Sequence, residues 1–163
     1  MTLDIYVDGS YYRDDPGKTY GAYVILDNEK PIIAQRITST EEDFTNMWNV
    51  GGELLAAIFS MKALNALITA AEVKESVQVN LYYDYMGIYE WVKPVKPWSA
   101  KKPGAQLYVA TMQKLREQMP NISINYKKVK AHTGNKWNEV IDLIAKGEKP
   151  EECVSAMLEP VVR

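Results

Sequence analysis

Four acidic residues lie next to apolar sequence, where a carboxylate is disfavoured unless it has a partner or a task. Asp8 falls within an alternating run, Leu3 to Tyr12. Glu53 stands at the opening of an apolar, alanine-rich stretch, and Asp84 follows Leu81-Tyr82-Tyr83. Asp142 is surrounded by Val140, Ile141, Leu143 and Ile144. Brought together, four such groups could not all stay ionised without cations. An all-oxygen donor set suits Mg²⁺ or Mn²⁺ rather than zinc. Taken singly, each acid also has an ordinary reading. Asp8 could cap a turn, Glu53 could be favoured by the positive end of its helix, Asp84 could cap the next helix, and Asp142 could face solvent. His132 is the only histidine, and an imidazole with a pKa near ~6.5 can exchange a proton around neutral pH.

The elements needed to position these groups can be read from periodicity. Leu3, Ile5 and Val7 alternate with Asp4, Tyr6 and Asp8, which predicts a strand over Leu3 to Tyr12. Thr19 to Leu26 and Pro31 to Thr38 read as two more strands joined by a short turn, so an antiparallel meander is expected. Gly52 to Ala70 reads as an amphipathic helix, and Val77 to Tyr83 as a strand ending at Asp84. A short helix from Tyr85 or Met86 to Trp91 should follow. Three prolines keep 94–104 out of regular helix. Ala105 to Gln118 then reads as a helix, Ile122 to Val129 as a fifth strand, and Trp137 to Lys146 as a helix stopped by Gly147. Glu151 to Leu158 could form a short terminal helix. The order β-β-β-α-β-α-α-β-α implies an α/β domain with a mixed sheet flanked by helices.

A chain of 163 residues suits one domain. Residues 1–147 are read as that domain, and 148–163 as an extension that either belongs to it or is a mobile tail. Met1 to Ser10 has no basic stretch ahead of an apolar run, so no signal peptide is expected, nor a membrane partner. The single cysteine, Cys153, is read as a small buried or tail residue and fits a reducing, cytoplasmic setting. The net charge of −2 argues against a polyanionic partner until its distribution is considered. Trp91 to Lys136 carries ten basic residues and one acid, or +9, leaving −11 elsewhere. That segregation is either a footprint for nucleic acid or lysines coating solvated faces.

Combined, these motifs resemble type 1 ribonuclease H. Asp8-Gly9-Ser10 matches that family's Asp-Gly-Ser on the first strand, and Tyr20-Gly21-Ala22 matches its Tyr-Gly-Ala on the second. Asn49-Val50-Gly51-Gly52-Glu53 followed by Leu54-Leu55-Ala56-Ala57 resembles the segment bearing its catalytic glutamate. Asp84 ends the fourth strand as the family's aspartate does. Val129-Lys130-Ala131-His132-Thr133-Gly134 and Asn138-Glu139-Val140-Ile141-Asp142 resemble its final loop and helix.

The resemblance implies a ribonuclease H-like fold with a five-stranded sheet, three strands in an antiparallel meander and two parallel. It implies an endoribonuclease that cuts the RNA strand of RNA–DNA hybrids and leaves 5′-phosphate and 3′-hydroxyl ends. Asp8, Glu53, Asp84 and Asp142 would be the catalytic ligands of two Mg²⁺ (or Mn²⁺) ions, with His132 in proton transfer or product release. Nucleic-acid contacts would come from Gly9, Ser10, Asn49 and Asn138. Lys93, Lys96, Trp98, Lys101 and Lys102 would add contacts from a shortened basic protrusion. A monomer with the hybrid as partner is expected. The alternatives are a non-cleaving nucleic-acid-binding protein, or an exonuclease or resolvase of the same fold, although Asp8-Gly9-Ser10 lacks the exonuclease Asp-x-Glu. Trp48 and Val50 flank Asn49 where the family commonly has polar residues, and 11–17 replaces its Gly-Asn-Pro-Gly turn. The family's DNA-strand and phosphate contacts are therefore not carried over at those positions.

Overall fold

The computed structural model describes residues 1–130 and 134–163. The three expected strands of the meander are β1 (Thr2–Ser10), β2 (Thr19–Asp27) and β3 (Lys30–Ser39), each antiparallel to the next. β4 (Val77–Tyr83) pairs parallel to β1 on its other side, and β5 (Ile122–Lys128) pairs parallel to β4. The sheet has six strands rather than the expected five, in the order β5-β4-β1-β2-β3-β6. The sixth, β6 (Val161–Val162), pairs parallel to Ile37 and Thr38. Two residues are too short for a periodicity signal, so tertiary pairing alone defines this strand.

Both faces of the sheet are covered, as expected where parallel strands lie at its centre. On one face Leu3, Ile5, Val7, Val79 and Leu81 pack against α2 (Asn49–Ala70) and α4 (Pro103–Gln118). On the other, Tyr6, Ala22, Val24 and Leu26 pack against Trp137, Val140, Ile141 and Ile144 of α5 (Lys136–Ala145). By length and composition alone α2 could cross a membrane, but its apolar surface is spent on this core. Two four-residue helices, α1 (Glu42–Thr45) and α3 (Gly87–Glu90), lead into α2 and out of β4.

Helix α2 begins at Asn49, three residues before the expected start. Gly51 and Gly52 are poor helix formers, which hides the first turn from a propensity argument. The glycines meet a packing demand. A β-carbon on Gly9 would strike the Asn49 carbonyl, one on Gly21 the Gly52 carbonyl, and one on Gly52 the Tyr20 carbonyl. Helix backbone therefore rests directly on strand backbone.

Gly147 ends α5 with φ +94 and a pair of bonds, Glu148 N–H to the Leu143 carbonyl (3.0 Å) and Gly147 N–H to that of Ile144 (2.9 Å). Beyond it, a 3₁₀ turn at Glu151–Ala156 buries Cys153 beside α5 and β3. The last residues bond along β3 through Leu158 N–H to Ala34 and Arg163 N–H to Thr38 (2.8 and 2.7 Å), which caps that sheet edge.

Candidate active site

The register that pairs Tyr6 with Tyr82 brings Asp8 and Asp84 level, two residues further along adjacent parallel strands. Both lie at the carboxyl ends of their strands, where sheets of this type open a crevice. From one face, the glycine contacts press the first turns of α2 onto β1 and β2, which seats Glu53 at this end. From the other face, α5 brings Asp142. Four elements thus converge around one cleft of about 450 Å³, lined by Asp8, Gly9, Asn49, Asp84, Asn138, Glu139, Asp142 and Leu143, to which Glu53 is joined through the backbone at Asp84 and Tyr85.

Glu53 is buried, and its Oε1 and Oε2 accept the backbone N–H groups of Asp84 and Tyr85 at 3.1 and 3.0 Å. Burial pushes its carboxyl up to about 8; the charges of Asp8 and Asp84 push the same way, and the two N–H groups pull against them. Asp8 is raised well above the ordinary range, first by burial and then by Asp142, with which it shares a hydrogen bond, and by Asp84. Its Oδ1 also accepts the Gly9 N–H at 2.9 Å. Asp142 Oδ2 accepts from Lys146 Nζ, four residues on, at 2.9 Å. Among the described residues, Lys146 supplies the one ammonium ion-paired with the clustered carboxylates.

All the donors here are hard oxygen atoms, and the cluster is short of positive charge. It therefore fits Mg²⁺ or Mn²⁺. Among the described residues no three acids form a ready-made ligand set; Glu53 is bonded to backbone and Asp8 to Asp142. A divalent ion would replace the shared proton and compete with Lys146.

The remaining sequence candidates divide by position. Asn49 and Gly9 line the acid cleft, but the Gly9 N–H is taken by Asp8. Ser10 is buried, pairs with Tyr20 and does not line the cleft. Asn138 lines it with its N–H bound to Asn135 Oδ1 (3.0 Å), so Asn135, not singled out from sequence, is the cap of α5. Glu139 is exposed and lines the cleft together with Asp8, Asp84 and Asp142. His132 lies outside the described residues. Lys93 pairs with Glu90. Lys96 is exposed with φ +50. Trp98, 40% exposed, packs edge-on against Trp91 and Tyr85 at centroid distances of 5.9 and 6.5 Å. Lys101 and Lys102 border a second cleft of about 260 Å³ with Trp48, Tyr85 and Trp91. Sequence reasoning also passed over Trp48, whose only signal was its departure from a polar position.

A model of the RNase H family matches residues 1–149. The ribonuclease H of Wolbachia pipientis wMel is 33% identical over 152 residues, spanning 87% of this chain and 91% of that protein. That of Pseudoalteromonas translucida (strain TAC 125) is 27% identical over 149 residues, spanning 89% and 88%. Among solved structures, RNase H1 from the halophilic archaeon Halobacterium salinarum NRC-1 superposes with a TM-score of 0.63 at 19% identity, covering 90% of this chain and 96% of that one. LC11-RNase H1, solved in complex with RNA/DNA hybrid, gives 0.63 at 19% identity, covering 89% and 97%. The structural likeness is one of fold.

Proposed function

The chain belongs to the ribonuclease H family of enzymes, and from that premise we propose that it hydrolyses the RNA strand of RNA–DNA hybrids, with Asp8, Glu53, Asp84 and Asp142 holding two divalent cations. The observation that carries this reading is the meeting of four acids from β1, α2, β4 and α5 at one cleft, two of them with carboxyls raised by burial and by each other. When bound, Mg²⁺ or Mn²⁺ supplies Lewis-acid activation of water and stabilises charge on the phosphate and leaving oxygen.

The chain's own groups position and neutralise. Asp8 and Asp142, which share a hydrogen bond, would hold a cation between them. Glu53 is held rigid by two backbone N–H groups and fixes the end of β4 relative to α2. None of these carboxylates attacks phosphorus. His132 is assigned proton transfer to or from the oxygen atoms around the scissile phosphate, in reaction or in product release. The exposed Asn49 amide, both donor and acceptor, is suited to the ribose 2′-hydroxyl, the group that separates RNA from DNA. Lys101 and Lys102 are suited to phosphates.

The test is cleavage of labelled RNA–DNA hybrid, duplex DNA and duplex RNA, with Mg²⁺ or with chelator. Internal cuts confined to the RNA of the hybrid, leaving 5′-phosphate and 3′-hydroxyl ends, are expected. Asp8→Asn should lower the rate at least about 100-fold, more than changes that only orient metal ligands cost, while its circular dichroism stays that of the folded protein. Hybrid binding by the wild-type chain with no cutting under Mg²⁺ or Mn²⁺ would instead identify a non-cleaving binding protein.

A further inference from the structure

Trp48 combines two unfavourable features. Its backbone sits at φ 56, ψ −132, a region open to glycine and strained for a residue with a β-carbon. Its indole is 61% exposed, so a large apolar ring gains little from folding. The conformation is held in place. Thr19 is fully buried, and its Oγ1 donates to the Trp48 carbonyl at 2.6 Å. The backbone is thereby locked with the ring held outward.

The ring's position gives this a purpose. Trp48 forms a ridge between two clefts. On one side it faces Tyr85, Trp91, Lys101 and Lys102. On the other it lines a cleft of about 470 Å³ with Tyr11, Arg13 and Asn49. Asn49 also lines the acid cleft, so the two clefts are neighbours that share one wall residue. Arg13 is exposed and makes no ion pair among the described residues. Its exposed neighbour Asp14 makes none either.

We propose that the Trp48–Tyr11–Arg13 cleft is a nucleotide subsite: the two rings pack against the sugar of one nucleotide of the bound hybrid, and the Arg13 guanidinium takes its phosphate. The proposal rests on the hybrid-cleaving reading above and extends it to a position where the resemblance supplies no contact. Indole and phenol rings offer flat apolar surface to a sugar whatever the base, and a guanidinium matches phosphate in a planar fork. The flanking lysines complete a positive rim on a chain whose net charge is negative.

Steady-state hydrolysis of the hybrid by the Mg²⁺-loaded full chain tests it, with hybrid binding measured in EDTA alongside. Trp48→Ala and Trp48→Gly should raise KM roughly 5- to 30-fold through the lost apolar contact with the sugar, with kcat within about twofold. Trp48→Phe should stay near wild type. Trp48→Gly should melt at or above the wild-type temperature and above Trp48→Ala, because glycine relieves the strained backbone. An unchanged KM in Trp48→Ala, a failure of phenylalanine to rescue, or a Tm lower in Trp48→Gly than in Trp48→Ala would overturn the proposal. Neutral methylphosphonate linkages placed one at a time in either strand identify the source of the phosphate. One linkage that weakens the wild type but not Arg13→Ala supports the contact and names its strand; none doing so removes Arg13 from the subsite. If the wild type binds hybrid without cutting it and Trp48→Ala weakens that binding, the cleavage reading fails and the subsite stands. If the wild type cuts and Trp48→Ala is indistinguishable from it, the reverse holds.

Discussion

At the scale of single residues, the acid cluster couples protonation to stability. Glu53 has an ordinary carboxyl pKa near 4.5 when unfolded and about 8 when folded, so between those values the folded chain keeps a proton that the unfolded chain has released. The resulting stabilisation is complete below about 4.5 and is lost as pH rises through about 8. Asp8 is shifted in the same direction. In chelator, the melting temperature should therefore fall across pH 4.5–8.5, and Glu53→Gln, which carries no titrating proton, should flatten that slope. Mg²⁺ should raise Tm more at pH 8 than at pH 5, where protons occupy the site. Thermal unfolding followed by circular dichroism checks both, and a stability in EDTA that rises with pH over this window would contradict the assignment. Lys146 tests the same balance from the cation side. Its ammonium competes for Asp142 in a partly exposed pair, the kind worth about 0.2–1 kcal/mol. Lys146→Met should accordingly lower the Mg²⁺ concentration for half-maximal rate about 2- to 5-fold in a metal titration.

At the scale of elements, backbone contacts rather than side-chain packing set the catalytic geometry. Gly52→Ala would ordinarily strengthen a helix interior by about 1 kcal/mol. Here the added carbon meets the Tyr20 carbonyl, so α2 must lift from β2. The change should cost about 1–3 kcal/mol in chemical denaturation and lower kcat as Glu53 leaves Asp84. The turn between β2 and β3 predicts the opposite sign. Asn28 and Glu29 both have positive φ, 49 and 63, the conformation of the tight two-residue hairpin that favours Asn-Gly. Left-handed φ costs a β-carbon-bearing residue about 1–2 kcal/mol, and glycine returns about half of that through a freer unfolded chain. Glu29→Gly should then stabilise the fold by about 0.5–1 kcal/mol with activity unchanged.

At the scale of the molecule, lysines of the positively charged segment read from sequence line different clefts. Lys101 and Lys102 flank the cleft beside Trp48, whereas Lys114 lies with Lys62 in a separate cleft near Asn65 and Gln118. Lys136 sits over the Trp137 ring, 4.8 Å from its centroid. Salt dependence should follow this division. Hybrid affinity should fall with added salt, and Lys101→Ala with Lys102→Ala should reduce the log–log slope by about 1–2, roughly one per lost phosphate contact. Lys114→Ala should leave the slope unchanged. Affinities measured by fluorescence anisotropy between 50 and 200 mM salt decide it, and an equal effect from Lys114 would mean that the lysines act only through total charge.

The five long strands, α2, α4 and α5 were legible from Leu3 to Lys146 because alternation and helical periodicity are local consequences of which face is buried. Asp8, Glu53, Asp84 and Asp142 stood out as acids beside apolar residues, and the resemblance to type 1 ribonuclease H singled them out from their ordinary readings. Four things depended on tertiary structure. The first turn of α2 is masked by Gly51 and Gly52, whose reason is close contact with the backbone of Phe44 in α1 and Tyr20 in β2. β6 exists only by pairing with β3. Asn135 and Glu139 gain their roles from the cleft they face, and Trp48 is set apart by a backbone angle and an exposure that no composition reveals. Periodicity records burial within one element, whereas convergence, strain and shared clefts are relations between elements distant along the chain, and those arise only when the sheet closes its register and the helices seat on its two faces.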